Sequence, residues 1–260
     1  MRPPLDLTRL AALGVEVLPD APSTNALVAE RARARAPEWL VVATEHQTAG
    51  RGRLDRTWET PSRVALTFST LLRPHAPAGE WPWLPLLAGL AVVDSLRDHD
   101  VAAGLKWPND VMLPGPQGEA KAAGILVERV EGPAGPAAVL GIGLNVHQTA
   151  EELPVATATS VRLATGRDLD RTALLESLLA HLRRVYDAWS AGGGAALRPA
   201  YVAACVTLGR DVRVVLPGGV ELTGTATDVD AGGRLVVGET PVAAGDVVHV
   251  RPAGGGTRVP

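Results

Sequence analysis

Residues 63–72 read RVALTFSTLL, and residues 83–93 read WLPLLAGLAVV. The first stretch alternates in the manner of a β-strand. Apolar residues of the second stretch recur every three or four positions, as on the buried face of a helix: Trp83, Leu86, Leu87, Leu90 and Val93. A strand followed by a helix predicts a fold in which the two kinds of element are mixed.

The same mixture extends outward over residues 5–201. Ser23, Thr24 and Asn25 are all capable N-caps, and the Ala- and Arg-rich residues 26–35 that follow them favour a helix. Short strands are predicted at residues 39–44, around Val111, at 124–130 and at 138–146, and a second long helix at 174–189, before a loop or break at Gly192, Gly193 and Gly194. The fold class is therefore α+β.

The pattern changes after Cys205. Valines and leucines alternate around two turns, at residues 217–219 and 230–233, so that about five short strands fit into the final stretch. We therefore expect a mixed domain over residues 1–204 and a small barrel over 205–260. The last residues, around Gly254, Gly255 and Gly256, have nothing to bury and are expected to form a disordered tail.

Composition limits the function. The chain has 260 residues, 46% hydrophobic and 20% charged, as in an ordinary globular protein. Its net charge of -3 gives no field to hold a polyanion, so DNA is not an expected partner. No apolar run approaches the roughly 18 residues of a membrane span and no secretory signal is visible, which predicts a cytoplasmic protein without membrane contact. Cys205 is the only cysteine, which excludes an internal disulfide and a thiolate metal cluster.

The segment Gly50-Arg51-Gly52-Arg53, followed by Arg56 and Trp58, is the most informative motif. Alternating glycine and arginine lets the backbone approach a ligand while guanidinium groups reach carboxylate or phosphate oxygens. The same four residues are also typical of a flexible basic surface loop, and by themselves they do not decide between the two interpretations.

A second motif, Lys106-Trp107-Pro108-Asn109-Asp110, follows a strand-like segment. Lys106 could face a phosphate, and Asp110 with Asn109 could hold a magnesium ion through oxygen ligands. The alternative interpretation is a simple turn between two strands.

Two further segments stand next to predicted strands. Lys121 precedes the apolar residues 122–127, which places a cation at the mouth of a strand, although a solvated lysine is the commoner case. Residues 141–145, GIGLN, lack the third glycine of a dinucleotide-binding motif. They indicate close packing of a strand against a helix, with Asn145 capping the strand or reaching a ligand. P-loop, zincin and serine-hydrolase motifs are absent from the sequence.

Together these segments resemble the bacterial biotin protein ligases in their order and spacing. The segments that carry the resemblance are Ser23-Thr24-Asn25, Gln47 with Gly50 to Arg53, Arg56, Trp58, Lys106 to Asp110, Lys121 with Gly124 to Glu128, and Gly141 to Asn145. The barrel-like end resembles the small SH3-like domain of that family. The resemblance implies a catalytic domain, residues 1–204, related to class II aminoacyl-tRNA synthetases, followed by an SH3-like domain, residues 205–260.

The resemblance also implies roles for individual residues. Ser23, Thr24, Asn25 and Gln47 would contact the biotin rings; Gly50, Arg51, Gly52 and Arg53 would form the loop over the ligand; Trp58 and Trp107 would line the adenine side; Arg56, Lys106, Asn109 and Asp110 would serve the triphosphate of ATP and its magnesium; and Gly124 and Asn145 would complete the ligand site. Lys121 would contact the reacting carboxyl and phosphate oxygens. We expect Lys121, Arg51 and Arg53 to matter most for catalysis.

The implied activity is the ATP-dependent activation of biotin to biotinyl adenylate and its transfer to a lysine of a biotin carboxyl carrier protein of acetyl-CoA carboxylase. Only 22 residues precede Ser23, too few for a winged helix-turn-helix repressor domain, so a monofunctional enzyme is expected. A lipoate or octanoate ligase or transferase of the same fold and a non-catalytic ligand-binding adaptor are the alternatives. A monomer and a homodimer are both left open.

Overall fold

A computed structural model describes residues 2–53, 56–115, 118–216 and 218–249. Its helices are α1 (Leu7–Ala12), α2 (Thr24–Arg33), α3 (Trp83–Asp98), α4 (Val161–Thr165) and α5 (Arg171–Ala204). Within the described ranges, none of these helices is both long and apolar enough to cross a membrane. The expected disordered tail around Gly254 to Gly256 lies outside the described residues.

The first nine strands are β1 (Val15–Leu18), β2 (Val41–Thr44), β3 (Gln47–Arg51), β4 (Thr57–Thr60), β5 (Ala65–Leu72), β6 (Gly104–Lys106), β7 (Asp110–Gly115), β8 (Gly118–Val130) and β9 (Ala137–Asn145). Seven of them form one sheet in the order β1-β2-β5-β9-β8-β7-β6, in which only β1 and β2 pair in parallel. Strands β3 and β4 form a separate antiparallel ribbon. The mixed sheet with helices confirms the α+β class.

The two faces of the large sheet are covered differently. Helices α3 and α5 pack together and bury one face against apolar side chains such as Phe68 and Ile142. Helix α2 packs on the opposite face, where Val28 meets Val42 and Val139. The part of this second face that α2 leaves uncovered is available as the floor of a cleft.

Local sequence signals explain where several elements begin and end. The Ser23 side chain accepts a hydrogen bond from the backbone of Ala26, and α2 begins as predicted. The predicted strands at 39–44 and 63–72 begin two residues later than expected. Trp39 and Arg63 have φ values of 67° and 62°, in the left-handed region that a strand does not include. Helix α5 is kinked at Gly193 and continues to Ala204, so the predicted break is a kink within a longer helix.

The last five strands are β10 (Asp211–Val215), β11 (Glu221–Val229), β12 (Leu235–Val237), β13 (Thr240–Val242) and β14 (Asp246–His249). They form an antiparallel sheet in the order β13-β12-β11-β10-β14, and their number is the one that the sequence predicted. The Trp83 indole N–H of α3 donates to the carbonyl of Ala231, between β11 and β12, at 2.7 Å, so this sheet is bonded to the helix that packs on the large sheet.

Candidate active site

A cleft of about 1500 Å³ lies over the floor strands β5, β8 and β9, between the start of α2, the β3–β4 ribbon, the β6–β7 turn and the C-terminal sheet. Most of the site residues predicted from the sequence line it: Ser23, Thr24, Asn25, Gln47, Arg51, Gly52, Arg53, Arg56, Trp58, Lys106, Asn109, Asp110, Lys121, Gly124 and Asn145. The fold thus brings together segments that are separated by up to about 120 positions in the sequence.

The start of α2 forms a polar corner of the cleft. The backbone N–H of Thr24 donates to Oε1 of Gln47 at 3.0 Å, and the Thr24 hydroxyl lies 2.7 Å from the hydroxyl of Ser69. The Asn25 amide donates to Glu128 at 2.7 Å and accepts from Ser69 at 2.6 Å. These bonds fix the orientation of each side chain before any ligand arrives.

Glycines allow the close approaches in this region. A Cβ on Gly50 would lie 2.1 Å from the Gln47 side-chain nitrogen, and one on Gly141 would lie 2.1 Å from the Asn25 oxygen. A Cβ on Gly143 would lie 2.4 Å from the Trp58 indole. Residues 141–145 therefore make the close packing that the sequence indicated. Gly50 lies against the Gln47 side chain and is not one of the described residues that line the cleft.

The arginines of the Gly50–Arg53 segment are held by specific partners. Arg51 donates to Glu128 at 2.9 Å, and Arg53 donates to the side-chain oxygen of Asn109 at 3.0 Å and to the carbonyl of Gly245 at 3.2 Å. Burial lowers the pKa of the Arg53 guanidinium below its ordinary value. These contacts fit a ligand-binding loop better than a free surface loop, since the charged groups point into the cleft.

Cations and carboxylates alternate beside the β6–β7 turn. The Lys121 Nζ lies 2.6 Å from Asp110 Oδ1 as an ion pair without good hydrogen-bond direction, and 5.9 Å from the centre of a Trp58 ring. Burial lowers the pKa of Lys106, and the nearby Asp110 partly opposes this shift. Arg56 forms an ion pair with Asp246 of β14. Carboxylates therefore pair with the cations at this end of the cleft, and a phosphate could displace them.

The chain contains only two lysines, Lys106 and Lys121, against 23 arginines, and both lysines line the cleft. Arginine occupies all the other positions of these two types, so both ammonium groups of the side chains lie in the cleft, and an ammonium differs from a guanidinium in being a compact charge. This count is a signal in the sequence that points to the same two residues as the motifs do.

The predicted magnesium ligands are only partly suitable by themselves. Asp110 and Asn109 offer one carboxylate and one amide oxygen, and these oxygens face Lys121 and Arg53 respectively. In the part of the chain that the structure describes, no cluster of three or more His, Cys, Asp or Glu side chains could hold a metal ion. The donor set fits an ion that retains water and arrives with a triphosphate, since magnesium is commonly bound in that way.

The structure corrects the position expected for Trp107. Its side chain is 2% exposed, and its indole N–H donates to the carbonyl of Gly233 at 3.0 Å. Its backbone N–H donates to the Thr207 hydroxyl at 3.1 Å. Trp107 thus fills the junction with the C-terminal sheet and is not among the described residues that line the cleft. The large apolar ring is buried there because the second sheet covers it.

Sequence reasoning missed several residues in and around the cleft. Glu128 lies within the predicted strand at 124–130 and is not among the described residues that line the cleft, and nothing in the sequence indicates that it bridges Arg51 and Asn25, which do line it. Asp246 and His249 belong to the C-terminal sheet, which carries no recognisable motif, yet both line the cleft. Only the packing of the second sheet against the first brings them there.

Comparison with known proteins identifies the family. Residues 17–145 match the model of the biotin/lipoate A/B protein ligase family. The biotin–acetyl-CoA-carboxylase ligase of Mycobacterium tuberculosis is 40% identical over 96% of this chain and 98% of that protein. The chain belongs to the biotin protein ligases of this family. A bifunctional ligase/repressor, BirA of Bacillus spizizenii, is 31% identical over 83% of this chain and 66% of that relative.

Solved structures of biotin protein ligases agree with this assignment. The enzyme from Aquifex aeolicus in complex with biotin and ATP superimposes with a TM-score of 0.75 and 26% identity, covering 92% of this chain and 99% of that one. The likeness confirms the expected class II synthetase-like fold with an SH3-like C-terminal sheet.

Proposed function

We propose that this chain activates biotin with ATP and transfers it to a lysine of a biotin carboxyl carrier protein. The observation that carries the proposal is the cleft, in which a polar corner at α2 adjoins a cationic end formed by Lys121, Lys106 and Arg53. A neutral ring fits the corner, and a carboxylate with a triphosphate fits the cations. Relatives named for biotin ligation support biotin over lipoate or octanoate.

The reaction needs no nucleophilic side chain. A biotin carboxylate oxygen forms a bond to the α-phosphorus of ATP and pyrophosphate leaves; the carrier amine then bonds to the activated carbonyl and AMP leaves. Both steps develop negative charge on oxygen, which a fixed cation stabilises. Lys121 lines the cleft beside Asp110 and Trp58, so we assign it to this role, with Arg51 and Arg53 closing the site above it.

The remaining assignments follow the same plan. Ser23, Thr24, Asn25 and Gln47 would hold the biotin rings, and Arg56, Lys106, Asn109 and Asp110 would serve the triphosphate. Magnesium, bound together with ATP, would supply further positive charge at the phosphate oxygens. Trp58 would face the adenylate, whereas the burial of Trp107 removes it from this set.

We further propose that residues 1–204 act as the catalytic domain and that the C-terminal sheet contributes to the same cleft. Arg56 pairs with Asp246, and Arg53 bonds to Gly245, so the sheet contacts the ligand loop directly. The proposed carrier is the biotinyl domain of acetyl-CoA carboxylase, and no DNA partner is proposed.

The decisive experiment measures pyrophosphate release by the purified protein with ATP and biotin, lipoate or octanoate, with and without a carrier domain. We expect release with biotin alone, and labelling of the carrier lysine when the domain is present. Release with lipoate or octanoate instead would assign the chain to the other branch of the family, and biotin binding without release would indicate an adaptor.

A further inference from the structure

Thr67 lies in the floor of the cleft on the central strand β5. It is paired directly with Gly143 of β9, which is in turn paired with Gly124 of β8. Directly paired residues of an antiparallel sheet place their side chains on the same face. Thr67 therefore faces the same side as the two glycines, and it lines the cleft.

The Thr67 hydroxyl is buried without a hydrogen-bond partner. The residue is 4% exposed, and its Oγ1 contacts no donor or acceptor among the described residues. Its neighbours with hydroxyl groups on the same face are satisfied: Ser69 bonds to Asn25 at 2.6 Å, and Thr44 donates to the carbonyl of His46 at 2.9 Å. Buried polar groups are rarely left unpaired, so an isolated one in a ligand cleft needs an explanation.

The Trp58 indole lies over the adjacent part of the floor. A Cβ on Gly143 would lie 2.4 Å from its Nε1, and one on Gly124 would lie 3.3 Å from the ring. The indole N–H is itself buried and has no partner in the described part of the chain. Two unpaired polar groups thus flank Gly143, where the floor has no side chain of its own.

We propose that the Thr67 hydroxyl hydrogen-bonds the ring system of bound biotin and so helps to determine which acid is activated. This inference rests on the proposed function. Along β5, Thr67 is two residues, or about 7 Å, from Ser69 at the polar corner. Across the sheet, its partner Gly143 pairs with Gly124, which lies beside Lys121. It therefore stands between the place assigned to the rings and the reacting end. A hydroxyl both donates and accepts, which suits a ureido group or a ring sulphur.

The test replaces Thr67 by valine, which has nearly the same shape without the hydroxyl. We expect Thr67→Val to raise the Kd for biotin about tenfold, as for a lost ligand hydrogen bond, and to leave kcat at saturating biotin within about threefold of the parent. Thr67→Ser should restore the parent Kd to within about threefold. Calorimetric titration with biotin and pyrophosphate release measure the two quantities.

Thr70 supplies a matched control on the same strand. Its hydroxyl is also buried without a partner in the described residues, but it faces α3 and α5 and lies outside the described lining of the cleft. Thr70→Val should leave both the Kd and kcat unchanged. Neither valine should lower the unfolding midpoint, because each removes an unsatisfied hydroxyl.

Desthiobiotin, which lacks the ring sulphur, identifies the atom contacted. If the penalty of Thr67→Val persists with this ligand, the contact is to the ureido group, and if it disappears, the contact is to sulphur; both support the inference. If the parent binds biotin and the Thr67→Val variant has a Kd for biotin within twofold of the parent value, this inference alone is overturned. A parent that binds no biotin overturns the proposed function and the inference with it.

Discussion

Lys121→Ala tests the proposed chemistry most directly. Lys121 is 33% exposed, but the Asp110 oxygen that it pairs with is buried and has no other partner among the described residues, so loss of the ion pair should lower the free energy of unfolding by about 1–3 kcal/mol. The effect on the reaction rate of losing a fixed cation at the reacting oxygens should be larger. By analogy with removal of one oxyanion donor, the rate should fall about 100- to 1000-fold, equivalent to roughly 3–4 kcal/mol in the transition state.

The assay is pyrophosphate release at saturating biotin and ATP, followed by transfer of biotin to a carrier domain, with circular dichroism as a check of folding. Lys121→Arg should restore little activity, since a planar guanidinium does not reproduce a compact ammonium. Arg129→Ala removes a half-exposed cation from the same strand, on the far side from the cleft, and should leave both steps unchanged. A folded Lys121→Ala protein within about threefold of the parent in both steps would refute the assignment.

Three other outcomes are expected. Arg51→Ala combined with Arg53→Ala should weaken the hold of the ligand loop on the adenylate, so that released adenylate biotinylates bystander lysines, which blotting detects. If the release of adenylate is unchanged, the segment is only a surface turn. Arg171→Met should lower the free energy of unfolding in urea by about 3–5 kcal/mol, because it leaves the buried carboxylate of Glu45 without its cation. Adding Glu45→Leu should recover only part of the loss, since the backbone N–H of Leu5 then loses its acceptor; a stable single variant would contradict this. Burial and two nearby cations lower the pKa of His249 to about 4 in the folded protein. Because the same side chain has a pKa of about 6.5 in the unfolded chain, the unfolded state takes up the proton first as the pH falls, and the free energy of unfolding should decrease between about pH 6.5 and 4. His249→Gln should flatten that dependence in pH-dependent thermal unfolding, and an unchanged profile would exclude His249 as the cause.

Local sequence determined much of this molecule. The N-cap at Ser23, the alternation over residues 63–72 and the helical spacing over 83–93 each depend on neighbours within a few positions, and the structure confirms all three elements. The motif residues were recognisable because glycine, arginine and lysine types carry their chemistry wherever the fold places them.

The ends of the strands were harder to predict from the sequence. Trp39 and Arg63 adopt positive φ values that no local propensity indicates, and β3, β4 and β6 are too short to show a period. These features depend on pairing between distant strands, in which tertiary contacts override weak local preference.

Tertiary structure alone decided which groups meet. The Trp107 indole bonds to the carbonyl of Gly233, which is 126 positions away in the sequence, and Arg56 pairs with Asp246, which is 190 positions away. Thr67 appears in the sequence as an ordinary strand residue, and only the register of β5 against β9 places its unpaired hydroxyl in the cleft. The sequence determines which chemical groups the chain carries. Whether a group becomes buried, paired or free depends on strand register and on the packing of the second sheet, because both bring together residues that no short stretch of sequence contains.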